Sequence, residues 1–496
     1  MTMLAPALNQ LPNLAPIDDP PYSPMWWLRT LERELARRNL LVQVYEDYFE
    51  GRFKLAFATP KFEQTFGDML AAVSDPYMSL VVSSTTERMD VQGFHIGAIE
   101  DTNEAGDRVA MDIWQRSHLD DESPLLFTES AKHGEAYLLA WWDPVEDRET
   151  ITCEHPSNMI VRRDPATRQI TVALKCWQEE DGSWRAFLIL PTRVYHFRRG
   201  PGHAQDWQEQ LVELNPLGFV PVHPIVNDRQ MKPCLPPHAL LAVPHLIPPV
   251  SIGLGRSDLA DVISTQDQIN KLLCDMFVAA EFAAFRQRWA TGLEVEEDEE
   301  GNVKNAPISA VDRIMHASDP DARFGSFEVT DLRVYTGAIE NRVQSMATRT
   351  RTPPHYMLGQ SGTFPSGESL NSAETGVITK TRRRHRDANP GLRGAIRSGA
   401  LIRGRRDLAE RPIHVDWMNP ESRSESEFVD SLVKKLSIGV PLVQIWEDYG
   451  YSPEQIRRFR GLLREQALNG GLLNTPGPDD QGVEDDPEPD PELATA

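Results

Sequence analysis

The sequence predicts an α+β protein, mainly α. Two observations carry that reading. Segments 257–289 and 329–352 place apolar residues at helical spacing on either side of a compact, acidic insertion. Between 151 and 199, short β-branched and aromatic runs follow one another around an Asp181–Gly182 turn. With 496 residues, 40% hydrophobic and 25% charged, the chain is long enough for several domains and a sizeable core.

Residues 1–25 read as a flexible arm broken by prolines at 6, 12, 16, 20, 21 and 24. A first helix follows, with Leu28, Leu31, Leu35, Val42, Tyr45 and Tyr48 on one face and Gly51 as its stop. Residues 62–140 read as mostly helical. The runs ITCEH, MIVRR, QITVALKCW and RAFLILPTRVYHF then predict an antiparallel sheet of four strands, closed by a proline-rich connector over 215–250. Ser257 or Asp258 is the expected cap of a helix reaching Trp289, a rod of roughly 48 Å. Beyond the insertion, Leu332, Tyr335, Ile339, Val343 and Met346 form a near-heptad stripe that stops at Pro353. A further helix begins near Ser366; Pro390 and glycines 391, 394, 399 and 404 are expected to kink or interrupt it. Residues 424–468 are helical again, with Phe428, Leu432 and Leu436, then Ile456, Phe459 and Leu463. Residues 471–496 are expected to be a disordered acidic tail, since eight acids and no base follow Gly477.

The net charge of −23 argues against a surface that clings to nucleic acid throughout, because phosphate contacts need Lys and Arg. Four dispersed cysteines, 153, 176, 234 and 274, make no disulfide framework and suit a reducing compartment. The N-terminus lacks the basic start of a secretion signal. The longest uncharged stretch, 233–255, holds six prolines and would span a bilayer poorly, so no membrane role is expected.

Gly362 to Ser369 fits the phosphate-loop pattern G-x-x-x-x-G-K-[ST] except that Glu368 replaces the lysine. That lysine supplies the positive charge for the β- and γ-phosphates, so nucleotide binding is not expected. No G-x-S-x-G nucleophile and no H-E-x-x-H pair occurs. His223, Cys234, His238 and His245 lack the tight pairs of a zinc site. The expectation is therefore no catalytic residue, no metal and no cofactor. The basic run Lys380, Arg382, Arg383, Arg384 and Arg386 has two readings: a solvated face paired with acids, or a contact with DNA or a neighbouring subunit. The acidic run Glu294, Glu296, Glu297, Asp298, Glu299 and Glu300 is a solvated loop or a docking surface.

GRSDLADVISTQDQINKLLCDM with EFAAFRQRWATG, then RTRTPPHYMLGQSGTFPSGESLNSAETG, and Tyr45-Glu-Asp-Tyr-Phe-Glu-Gly51, together resemble the portal proteins of tailed bacteriophages, in the family common among actinobacteriophages. The likeness covers about 26–468. It implies a portal fold of wing, long-helix stem, small α/β clip and helical crown. On this sequence the wing would be 26–256, the stem helices 257–289 and 329–357, and the clip 290–328. The tunnel loop would be 358–368, a kinked wing helix 369–411 and the crown 412–470. Gly359, Gln360, Ser361, Gly362, Thr363, Phe364, Pro365 and Ser366 would face DNA, and the acidic run would be the clip's docking surface. The resemblance further implies a homo-oligomeric ring, typically of twelve subunits, at a capsid vertex of the virion, assembled in the host bacterial cytoplasm. Its partners would be double-stranded DNA, terminase, major capsid or scaffolding protein and a head-tail adaptor. Two other classes compete. A minor head or adaptor protein would be monomeric, and a DNA-processing enzyme would need a Walker lysine or a metal site.

Overall fold

A computed structural model of the chain describes residues 17–52, 75–97, 104–201, 206–230, 255–284, 288–291, 321, 323–326, 331–359, 367–421, 425–451 and 453–468. The chain divides into two compact units, Met1–Ser422 and Arg423–Ala496.

Helix α1 (Pro24–Phe49) starts where Ser23 Oγ accepts from Trp26 N at 3.2 Å and Pro24 supplies a pre-set φ. Its buried face is Leu28, Leu31, Leu35, Val42, Tyr45 and Tyr48, the stripe that the spacing predicts. The two halves of α1 serve different cores. Leu28, Leu31 and Leu35 pack with Ile160, Leu174 and Leu188 of a sheet, whereas Tyr45 and Tyr48 pack among helices. Each fully buried leucine contributes roughly 1.5–3 kcal/mol.

Next come α2 (Tyr77–Thr86), β1 (Val91–Ile96), α3 (Glu104–Arg116), α4 (Leu119–His133), β2 (Glu135–Asp143) and β3 (Arg148–Glu154). Among the described residues 62–140 is mostly helical, as the spacing predicts, with the two strands β1 and β2 added to it. Strand β2, EAYLLAWWD, is central in a three-stranded sheet ordered β3-β2-β9, with β9 at Val222–Val226. Its first six residues are all buried, so the alternation that marks a strand is absent. Strands β4 (Met159–Arg163), β5 (Ile170–Gln178), β6 (Trp184–Ile189), β7 (Arg193–Arg199) and β8 (Gln208–Leu214) form an antiparallel meander. The Asp181–Gly182 turn joins β5 to β6 as expected: Gly182 has φ +78°, and Asp181 Oδ1 accepts from Ser183 N at 2.8 Å. This sheet gains β8, which sequence reading missed. The ITCEH run belongs instead to β3 in the other sheet.

Helix α5 (Ile263–Ala284) is shorter than the predicted rod, 22 residues or roughly 33 Å. Residues 258–262 form turns, because Ser257 Oγ accepts from Leu259 N at 3.0 Å and Ala131 O accepts from Asp258 N at 3.0 Å. At the far end β10 (Arg288–Thr291) pairs antiparallel with β11 (Arg323–Ser326), where Trp289 lies opposite Gly325. Helix α6 (Arg333–Thr350) packs on α5 through Val343, Met346 and Ala347, which share a core with Ile269 and Leu273. Farther along the pair this core thins out. Phe277 is 39% exposed and Val334 70% exposed.

After α7 (Pro354–Leu358), α8 (Gly367–Ile402) runs unbroken for 36 residues, contrary to the expected interruption. Its glycines are contact points. A Cβ on Gly391 would lie 2.5 Å from Pro224 O, one on Gly394 2.4 Å from His223 Nδ1, and one on Gly399 2.8 Å from Ile113 Cγ2. Bare backbone therefore lets α8 lie directly on β9 and α3. Pro390 sits on the exposed side, where water can serve the carbonyl it leaves unpaired. Short helix α9 (Arg406–Ala409) leads to β12 (Ile413–Trp417), which pairs antiparallel with β1.

The second unit holds α10 (Glu425–Ser437), α11 (Leu442–Tyr449) and α12 (Pro453–Leu468). Phe459 meets Trp446 and Tyr451 at centroid distances of 5.4 and 4.9 Å, and Ile445 and Ile456 are buried.

Candidate functional site

The expected DNA-facing loop begins where α6 stops. Arg351 takes a left-handed φ of +59°, and Thr350 and Thr352 share a 2.9 Å hydroxyl contact before Pro353–Pro354. Helix α7 then buries Met357 and ends at Gly359, whose φ of +62° turns the chain away. Gln360, Ser361, Gly362, Thr363, Phe364, Pro365 and Ser366 lie outside the described residues. The flanks of this segment are tied together. Tyr356 Oη donates to Glu374 Oε1 at 2.9 Å, and Arg88 Nη2 reaches Tyr356 Oη at 2.8 Å and Glu374 Oε2 at 3.3 Å. Arg88 also donates to Pro420 O at 2.7 Å. Sequence reading missed Arg88, Tyr356 and Glu374, since nothing local marks a pairing across almost three hundred positions.

The basic run separates by helix face. Lys380 and Arg384, one turn apart on α8, are buried against Asp258, with Nζ–Oδ2 at 2.8 Å and Nη2–Oδ1 at 2.5 Å. Asn227 Nδ2 adds 3.1 Å to Asp258 Oδ1, and Arg384 Nη1 lies 3.4 Å from Asp228. Burial would raise the Asp258 carboxyl, but the two cations override it and hold it at about 2. Arg383 pairs with Asp228 at 2.7 Å, Arg382 pairs with Glu421, and Arg386 is exposed. Asp258, expected as a helix cap, is instead the charge that lets two cations enter the interior.

The acidic run 294–300 lies outside the described residues, as do Cys234, His238 and His245. His223, the remaining member of that set, is half-buried, with Nε2 2.7 Å from Ser398 Oγ. Among the described residues, metal-type donor atoms come together elsewhere, at Glu46, Glu129, His133 and His155. A helix, α7, precedes the phosphate-loop-like segment, where a nucleotide loop would follow a buried strand.

A family model described as phage portal protein, SPP1 Gp6-like, matches residues 43–441. The chain belongs to this portal protein family. It is 26% identical over 435 residues to the portal protein of Mycobacterium phage D29, covering 83% of this chain and 84% of that protein. It is 25% identical over 435 residues to the portal protein of Mycobacterium phage L5, covering 83% of each. The portal match takes in the α5–α6 pair, the tied flanks of the loop, all of α8 and the charge cluster at Asp258. Among the described residues, no helix of this portal chain is long and apolar enough to cross a membrane.

Proposed function

We propose that this portal protein assembles as a ring of twelve copies at a capsid vertex, through which double-stranded DNA enters and leaves. The family match over 43–441 carries the reading. In this proposal α5 and α6 are the stem, 290–328 the clip that docks terminase and then a head-tail adaptor, and 358–368 the loop facing DNA. Residues 26–256 with 369–411 form the wing, held in the shell by major capsid or scaffolding protein, and 412–470 form the crown. Assembly takes place in the bacterial cytoplasm.

Two physical features support it. Sliding DNA must be held weakly everywhere, because each phosphate contact adds a salt-dependent attraction. A net charge of −23 meets that need. So does the pairing of Lys380, Arg382, Arg383 and Arg384 with carboxylates, which offsets four of the five cations of the 380–386 run. The uncovered apolar side chains Phe277 and Val334 would be shielded by the neighbouring copy.

Electron micrographs and solution mass of the purified protein test the assembly. Rings are expected; a stable monomer at micromolar concentration with no rings would overturn the proposal. Deleting 360–366 should leave rings intact while impairing packaging. Failure of rings to form would make that segment an assembly element instead.

A further inference from the structure

Helix α4 carries Glu129 and His133 one turn apart, so both side chains project from one face. Glu46 reaches them from α1, and His155 from just beyond β3. His133 Nε2 lies 2.8 Å from Glu46 Oε1 and 3.1 Å from Glu129 Oε2. His155 Nε2 lies 2.9 Å from Glu129 Oε2 and 3.5 Å from Glu46 Oε1. Two imidazole nitrogens and two carboxylate oxygens thus converge from three elements, all within 4.8 Å of one another.

Tetrahedral zinc with bonds of about 2.0–2.1 Å sets its ligand atoms about 3.3–3.4 Å apart. The four nitrogen–oxygen separations, 2.8 to 3.5 Å, lie around that edge length. We propose that Glu46, Glu129, His133 and His155 form a structural site for one divalent transition-metal ion, with zinc the best chemical match. Mixed nitrogen and oxygen donors suit zinc and disfavour calcium or magnesium, which prefer oxygen alone. Four protein ligands would close the coordination shell, as in sites that brace a fold.

The surroundings set the terms of binding. Lys132 Nζ lies 2.9 Å from Glu46 Oε1 and from Glu129 Oε1, so the cluster already holds one positive charge. An ion must share the Glu46 oxygen with that ammonium, whereas Glu129 binds through its other oxygen. Metal on Nε2 places the ring proton on Nδ1. For His155, Ser157 Oγ at 2.6 Å then accepts it, and the 3.1 Å bond from Ser157 N to Nδ1 is given up. The His133 side chain is only 1% exposed, and its Nδ1 has no hydrogen-bond partner among the described residues. The site would pin α1, α4 and the end of β3 together, and it is independent of the DNA-channel reading.

The full-length protein, stripped with chelator, is titrated with cobalt(II) and then zinc. One ion per chain is expected, with the intense visible bands of tetrahedral cobalt, bleached as zinc displaces it. His155→Gln, at the more exposed ligand, should lose those bands and weaken zinc binding at least about 10-fold with an unchanged circular dichroism spectrum. Glu46→Gln should do the same, so the test survives if one variant misfolds. No uptake by the unaltered protein at about 100 μM ion, a very weak interaction, would overturn the proposal. Uptake that both folded variants retain would overturn it equally.

Discussion

Asp258 shows how one carboxylate organises a buried region. Removing it leaves Lys380 and Arg384 enclosed without their main counter-charge. Asp258→Ala should therefore cost roughly 3–5 kcal/mol, read as a lower denaturant midpoint. Arg382→Ala, at a side chain 53% exposed, should cost less than about 1 kcal/mol in the same assay. Two histidines give a pH dependence. Burial, aided by the nearby Arg397 charge, lowers His223 to about 4, and burial likewise lowers His385, stacked on Trp417, to about 4. Both are neutral when folded and take up protons near pH 6.5 when unfolded. Their contribution is thus complete above pH 6.5 and lost as pH falls toward 4, by up to about 3 kcal/mol each. Melting temperatures measured from pH 8 to 4 should show that decline, and His223→Gln should flatten it. The basic run itself was legible in the sequence. Its acidic partners at 228, 258 and 421 were not, because pairing between distant positions is fixed by packing rather than by local pattern.

At the scale of elements, α8 turns an apparent weakness into a contact surface. Alanine is about 1 kcal/mol better than glycine in a helix interior, yet Gly394→Ala would drive a methyl group into His223. A net loss of roughly 1–3 kcal/mol is expected. Gly337 of α6 has nothing within 4 Å of a built Cβ, so Gly337→Ala should stabilise the dissociated chain by about 0.5–1 kcal/mol. Opposite shifts in chemical denaturation check the pair. Amphipathic elements such as α1 and α6 were readable because one side faces water and leaves a periodic trace. Strand β2 was not, since burial of both faces erases alternation, and β8 was not, because its side chains are nearly all exposed. The α8 glycines read as helix breakers because sequence alone does not show what lies opposite them.

For the whole molecule, the prediction concerns surfaces left uncovered in a single copy. Val334 stands 70% exposed on the first turn of α6, where a carboxylate also suits the positive helix end. Val334→Glu should leave the dissociated chain's stability within about 0.5 kcal/mol while reducing rings in micrographs. Normal rings would remove Val334 from the interface. The family was legible through the ensemble of stem, loop and YxxYxxG segments, which span most of the chain. The donor cluster at Glu46 and His155 was not, because three separate elements supply it and no single spacing announces it.

The pairing of β1 with β12 also has a consequence for biosynthesis. Ile96 waits for Ile413, so roughly 300 residues must leave the ribosome between them, tens of seconds at bacterial rates of about 5–20 residues per second. Throughout that interval β1 has an open edge, and the core holding Phe94 lacks the Ile413 side. The larger unit thus finishes folding only after Ile413–Trp417 has been made, and until then the edge of β1 and the Phe94 core stay open to other contacts.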